Sequence, residues 1–269
     1  TVLSKITSYR DDVLVNSSIG EDSAVLDFGD KILAISSDPI TGAGNKAGYL
    51  AVHVACNDIA ATGAVPIGIQ VVLLLPENIT DNKIKEIMTE IDNTSKEINV
   101  QILGGHTEIT DLIQKPMITV TALGKAKKEE LTSSSAAEIG DDLYISKGIG
   151  IEGSYILAND YQDYLIDKGV SQESIDKASG YLDLLSVIPE SRIARKNGVK
   201  AMHDVTEGGV YGAIEEMAAA SGLGYVIEAD NFKIKAEVKD ICSKLNIDPA
   251  GLISSGSMLM AVAPDIDLE

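Results

Sequence analysis

Tryptophan is missing from this 269-residue sequence and phenylalanine occurs only twice. A chain so poor in large aromatic rings lacks the stacking platforms that hold single-stranded nucleic acid. Positive charge is scarce as well, with 22 Lys and Arg against 41 Asp and Glu and a formal net charge of -19. Such a surface repels phosphate backbones and anionic lipid, so neither nucleic acid nor membrane is an expected partner. It also makes any bound nucleotide depend on a divalent cation. Cys56 and Cys242 are the only cysteines, and neither sits in a CxxC or a Cys/His cluster, so no zinc site and no disulfide framework are expected. No apolar run reaches membrane-spanning length and the N-terminus lacks a signal-peptide pattern, which points to a cytoplasmic protein. No internal repeat and no low-complexity tract is found. At 45% hydrophobic residues the chain can bury one large core or two ordinary ones.

What is present is organised around residues 47–66, AGYLAVHVACNDIAATGAVP. Leu50, Val54 and Ala61 recur at helical spacing, and the run Gly63-Ala64-Val65-Pro66 stops the helix. Asn57 and Asp58 fall in mid-helix, where propensity favours neither. Held rigidly there, they can serve as ligands for a metal or polar substrate; a solvated face or an internal cap is the alternative.

Upstream, strands at 24–26 and 32–35 flank a hairpin turn at Phe28-Gly29-Asp30-Lys31. Antiparallel pairing brings Gly20-Glu21-Asp22-Ser23 and Ser36-Ser37-Asp38-Pro39 to one rim, where Asp22 and Asp38 repel unless a cation or proton relieves them. Both are also ordinary turn residues. Downstream, a buried strand over 67–75 precedes an amphipathic helix over 80–98, to which no chemistry is assigned. A strand over 100–103 ends in Gly104-Gly105-His106-Thr107-Glu108, where paired glycines permit either close approach of a ligand or a bulge. A strand over 117–123 closes the first half, and residues 124–140 read as an exposed linker. The expected domains are therefore 1–130 and 131–269. In the second, a strand over 142–146 meets Lys147-Gly148-Ile149-Gly150, which matches neither nucleotide-binding glycine fingerprint. A polar helical region over 153–187, ended by Pro189, comes next, with a strand at 224–228, a helix at 235–245 and a last strand at 258–262. Between them, Gly208-Gly209 opens a helix bearing Val210, Ile214 and Met217, whose free N–H groups suit an anion; Thr206 or Asp204 acting as cap is the plain alternative. The terminal Leu268-Glu269 reads as residues appended to a shortened chain.

Taken in order, Gly-Glu-Asp-Ser-Ala-Val-Leu (20–26), Ser-Asp-Pro (37–39), Asn-Asp-Ile-Ala-Ala-Thr-Gly-Ala-Val-Pro (57–66), Gly-Gly-His-Thr (104–107), His-Asp-Val-Thr-Glu-Gly-Gly (203–209) and Ser-Gly-Ser-Met-Leu (255–259) resemble the aminoimidazole ribonucleotide (AIR) synthase, or PurM-like, superfamily. The wording is most similar to its HypE-type hydrogenase-maturation branch. The resemblance implies an α/β N-terminal domain whose sheet forms a homodimer interface, joined to an α+β C-terminal domain. It implies ATP and Mg²⁺ in a cleft near that interface, with Asp22, Asp38 and Asp58 as metal ligands. Asn57, Gly104, Gly105, His106, Thr107 and Asp204 would line the nucleotide site; no catalytic residue is assigned. The implied activity is phosphoryl transfer that activates a small-molecule or protein-borne substrate. A small-molecule kinase of the thiamine-monophosphate type and a non-catalytic nucleotide-binding scaffold are the alternatives. Three features depart from the pattern: His106 stands where several relatives are acidic, Ser255 stands where the HypE type has Glu, and no cysteine lies at the C-terminus.

Overall fold

The computed structural model describes residues 8–16, 18–41 and 46–266. Leu268 and Glu269 lie outside them. Six strands, β1 (Val13–Val15), β2 (Ala24–Asp27), β3 (Lys31–Ile40), β4 (Val65–Pro76), β5 (Gln101–Thr110) and β6 (Met117–Lys127), form one sheet in the order β1-β2-β3-β6-β4-β5. Only β4 and β5 run parallel. Ile32, Ala34, Ile69, Val71, Leu73, Ile118, Val120 and Ala122 point to one face and are buried there with residues of helices α1 (Ala47–Ala61) and α2 (Asp81–Glu97). The alternation in β3 and β6 is the period-2 pattern of strands covered on one face.

A second, three-stranded sheet has the order β7-β9-β8, from β7 (Asp142–Ile145), β8 (Ala201–Asp204) and β9 (Met258–Val262). Its central strand β9 is buried at every residue, as a continuous apolar run requires. Helices α3 (Ile151–Asp160), α4 (Gln162–Asp167), α5 (Gln172–Ser179), α6 (Ile188–Lys196), α7 (Gly209–Ser221) and α8 (Ala236–Leu245) complete this half. Among the described residues no helix is long and apolar enough to cross a membrane.

Four expectations are corrected. The polar region over 153–187 is several short helices, and Pro189 occupies the first turn of α6, where its missing N–H is no loss, instead of ending a long helix. Residues 224–228 pair with no strand among the described residues, and Val226 is 93% exposed. The expected linker is a packed connector over much of its length and exposed only towards its end: β6 runs to Lys127, Thr132 and Ser134 are buried, Thr132 Oγ1 donates to the Ala61 carbonyl at 2.7 Å, and Ile139 is 90% exposed. Finally, β5 does not stop at Leu103 but continues through Gly104-Gly105-His106-Thr107-Glu108 as an edge strand.

Candidate active site

Helix α1 positions the site because it is buried on nearly all sides, between the large sheet and the second half of the chain. Asn57 is fully buried and both ends of its amide are used: Nδ2 donates to the Leu185 carbonyl at 2.8 Å, and Oδ1 accepts from the Val187 N–H at 2.9 Å. Asn57 therefore clamps the two halves together, with each end of its amide engaged in a contact between them. Its neighbour Asp58 faces the other way, towards β3. The hydroxyl of Ser36 lies within hydrogen-bonding reach of both Asp58 and Asp38, the latter at 3.2 Å, and its one proton is shared between them.

Asp22 and Asp204 complete an acidic pocket. Asp204 ends β8, is 2% exposed, and its Oδ2 has no hydrogen-bond partner among the described residues. Ligand atoms of Asp22, His203 and Asp204 lie within 4.8 Å of one another. Burial, then repulsion from Asp204, Asp38 and Asp22, pushes the Asp58 carboxyl well above the ordinary carboxylate range. Asp204 is raised by burial and by Asp22, and Asp22 by burial against the pull of His203. Four carboxylates from four separate segments thus meet, with Asp58, Asp204 and the Asp22 side chain buried and Asp38 half-buried at the rim. Asp22 and Asp38 do reach the same rim, through the antiparallel pairing of Ala24 with Ile35.

His203 lies between two acidic side chains at the edge of the pocket. Its Nδ1 pairs with Asp22 and its Nε2 with Glu216 Oε2 at 2.9 Å. Burial alone would lower its pKa, but Asp22 and Glu216 outweigh burial and hold it well above the usual histidine value. The pair also ties the first half of the chain to the second. Gly20, in the left-handed region at φ 82°, lets this loop press against α7, since a Cβ there would strike the Glu216 carbonyl. His203, Ser36 and Glu216 were not among the expected site residues. His203 and Ser36 adjoin motif residues in sequence, whereas nothing local marks Glu216, one helical position among several.

Gly104, Gly105, His106 and Thr107 stand apart from this pocket. The register runs Asp38 to Val120 to Val71 to Gly105, placing Gly105 three strands from Asp38, about 14 Å at the usual strand spacing. The glycines serve strand pairing: the β4–β5 register shifts between Ile69 and Gln70, and a Cβ on Gly105 would overlap the Val71 carbonyl. His106 is exposed, 3.9 Å from Glu108. Lys147 is not free for phosphate either. Its Nζ donates to the carbonyls of Leu184, Ser186 and Gly256 at 3.1, 2.6 and 2.8 Å and pairs with Glu190 at 2.9 Å. Gly208 caps α7 in the left-handed conformation with no side-chain cap, so neither Thr206 nor Asp204 serves that role. Cys56 and Cys242 are buried free thiols, pushed by burial to about 12 and about 11.

A helix-covered mixed sheet joined to a smaller sheet, with the acidic pocket where β3, α1 and β8 approach one another, is the PurM-like two-domain architecture. The chain belongs to the AIR synthase related protein family, whose N-terminal domain matches residues 20–126 and whose C-terminal domain matches residues 138–269. It is 31% identical over 257 residues to a putative hydrogenase expression/formation protein of Methanocaldococcus jannaschii, covering 92% of this chain and 74% of that one. It is 27% identical over 255 residues to the carbamoyl dehydratase HypE of Escherichia coli, covering 90% and 73%. The crystal structure of E. coli HypE superposes with a TM-score of 0.76 over 87% of this chain and 71% of that one, at 26% identity. A ThiL structure complexed with AMPPCP and TMP shares the fold at 19% identity, with a TM-score of 0.76 over 92% and 81%.

Proposed function

We propose that this protein is an ATP- and Mg²⁺-dependent enzyme of the HypE-like group, which activates a substrate oxygen by phosphoryl transfer. The observation that carries the reading is the convergence of Asp22, Asp38, Asp58 and Asp204, with the Asp204 Oδ2 buried and unpartnered. An all-oxygen donor set of mutually repelling carboxylates fits a hard divalent cation, which would relieve the repulsion. Bound there, Mg²⁺ supplies charge neutralisation for a triphosphate that a chain of net charge -19 otherwise repels. Asp22, Asp38 and Asp58 would hold the cation, and Asp204 would face it from the second half. The name and fold of E. coli HypE support an enzyme over a scaffold.

The protein is proposed to act as a cytoplasmic homodimer. Edge strand β5 is exposed along most of its length, with Leu103 55% and Ile109 56% exposed, and among the described residues it pairs only on its β4 side. A long, partly apolar edge of this kind favours coverage by a second chain. Such pairing would give His106 and Thr107 a route to a nucleotide held by the other protomer.

The test is thermal unfolding with ATP and Mg²⁺, with ATP and a chelator, and with neither. Only the first should raise the melting temperature, because only the native pocket binds. Asp58→Ala should abolish the increase; an undiminished increase in that variant would defeat the assignment.

A further inference from the structure

Glu152 is a buried acid that lies outside the pocket described above. It stands in the first turn of α3, is 6% exposed, and its Oε2 has no hydrogen-bond partner among the described residues. An unpaired buried carboxylate oxygen lowers stability, and folds retain such groups where function uses them. Burial raises its pKa and Glu207 adds repulsion, while the hydroxyl and backbone N–H of Ser255, facing the carboxylate, pull it down.

Its position follows from the backbone. The Ile151 N–H donates to Ser254 Oγ at 3.1 Å, and the Gly153 N–H to the Ile253 carbonyl at 2.9 Å. This segment leads directly into Met258, the β9 residue opposite Asp204, and the Ser257 carbonyl accepts from the Val205 N–H at 3.0 Å. Glu152 therefore sits at the end of the small sheet that carries Asp204. The start of α7 arrives at the same corner, where Gly209 packs against the carbonyls of Ala250 and Leu252. Both α3 and α7 begin at a left-handed glycine, Gly150 and Gly208, with no side-chain cap. The partial positive charge at these two helix starts suits an oxygen that gains negative charge during reaction.

We infer that Glu152, positioned by Ser255, takes the proton from the substrate oxygen that becomes phosphorylated. The inference rests on the phosphoryl-transfer reading above. In the step, the acceptor oxygen bonds to the γ-phosphorus, the bond from that phosphorus to the β,γ-bridging oxygen breaks, and ADP leaves. The acceptor's proton passes to the Glu152 carboxylate and then to solvent. Burial makes this carboxylate a stronger base than one in water.

The test uses the whole chain with Mg²⁺, ATP and water as the acceptor. Glu152→Gln should keep the melting-temperature increase with Mg²⁺ and ATP. It should slow ADP release about 100-fold or more at saturating ATP, with KM for ATP within about threefold. The acid limb of the pH profile should vanish, and Glu152→Asp should restore part of the rate. The urea midpoint of Glu152→Gln should also rise at alkaline pH. Because the folded pKa of Glu152 is raised, its favourable contribution is full below the unfolded value and is lost as pH climbs through the folded one, a loss the neutral amide escapes. ADP release near the wild-type rate, a lowered urea midpoint, or a wild type that binds Mg²⁺ and ATP without releasing ADP would each overturn the inference. A wild type that fails to bind them overturns the underlying reading as well.

Discussion

Asp58 shows how a residue can harm the fold and serve the site at once. Its carboxyl is 7% exposed, beside three others, and its proton affinity is raised by burial and then by repulsion. Asp58→Asn should therefore raise the melting temperature of the cation-free protein by a few degrees, roughly the effect of 1 kcal/mol on a chain of this size. The same variant should lose the response to Mg²⁺ and ATP, and a differential scan of both states checks the pair of outcomes. Asn57, one residue earlier, should behave oppositely. Asn57→Ala leaves the Val187 N–H and the Leu185 carbonyl buried without partners and should cost about 2–4 kcal/mol in urea unfolding, while the response to Mg²⁺ and ATP is kept. The sequence could not separate these neighbours, because both are short polar residues in mid-helix. Which one faces Ser36 and which one faces Leu185 is fixed by contacts 22 and 128 residues away.

Among the elements, those with strong local signals were legible. Helices α1 and α2, the hairpin of β2 and β3, and the buried β9 all follow from periodicity and turn residues within one short window. The elements misread depend on distant partners. Residues 124–140 look polar enough for a linker, yet the Thr62, Ala61 and Lys200 backbones supply their hydrogen bonds. Residues 224–228 have strand-like residues but no neighbouring edge to pair with. The Gly-Gly of β5 suits either ligand approach or a bulge, and only the Val71 carbonyl, distant in sequence, distinguishes the two. Gly105→Ala should destabilise the protein by about 2–4 kcal/mol and speed amide exchange along β4 and β5, because the new Cβ must displace the Val71 carbonyl. Exchange unchanged in those strands would show that the glycine is not needed for pairing.

Across the whole molecule, the pocket makes the two halves of the chain mutually dependent through electrostatics. Asp22 comes from the first half and His203 and Asp204 from the second. All the resolved shifts in the pocket have one sign. Asp22, Asp58 and Asp204 are raised above 3.8, so the stability they give as neutral acids is lost as pH climbs through their folded values. His203 is raised above 6.5, so its contribution is also full at low pH and lost on the alkaline side. The cation-free protein should therefore lose melting temperature steadily from mild acid into alkaline buffer, and Mg²⁺ should flatten that slope. A melting temperature that rises with pH in chelator would contradict this. The ordered succession of motifs identified the architecture from sequence because each acidic residue keeps its place along the chain. Their meeting in space could only be read from the fold.

The central claim is that these acidic groups together hold a divalent ion that carries the nucleotide. Counting bound Mn²⁺ by electron paramagnetic resonance, with a nonhydrolysable ATP analogue present, tests it directly. Saturable binding that disappears in Asp58→Asn and in Asp204→Asn is the expected result. Absence of saturable binding in the wild type, or binding that survives both substitutions, would contradict it.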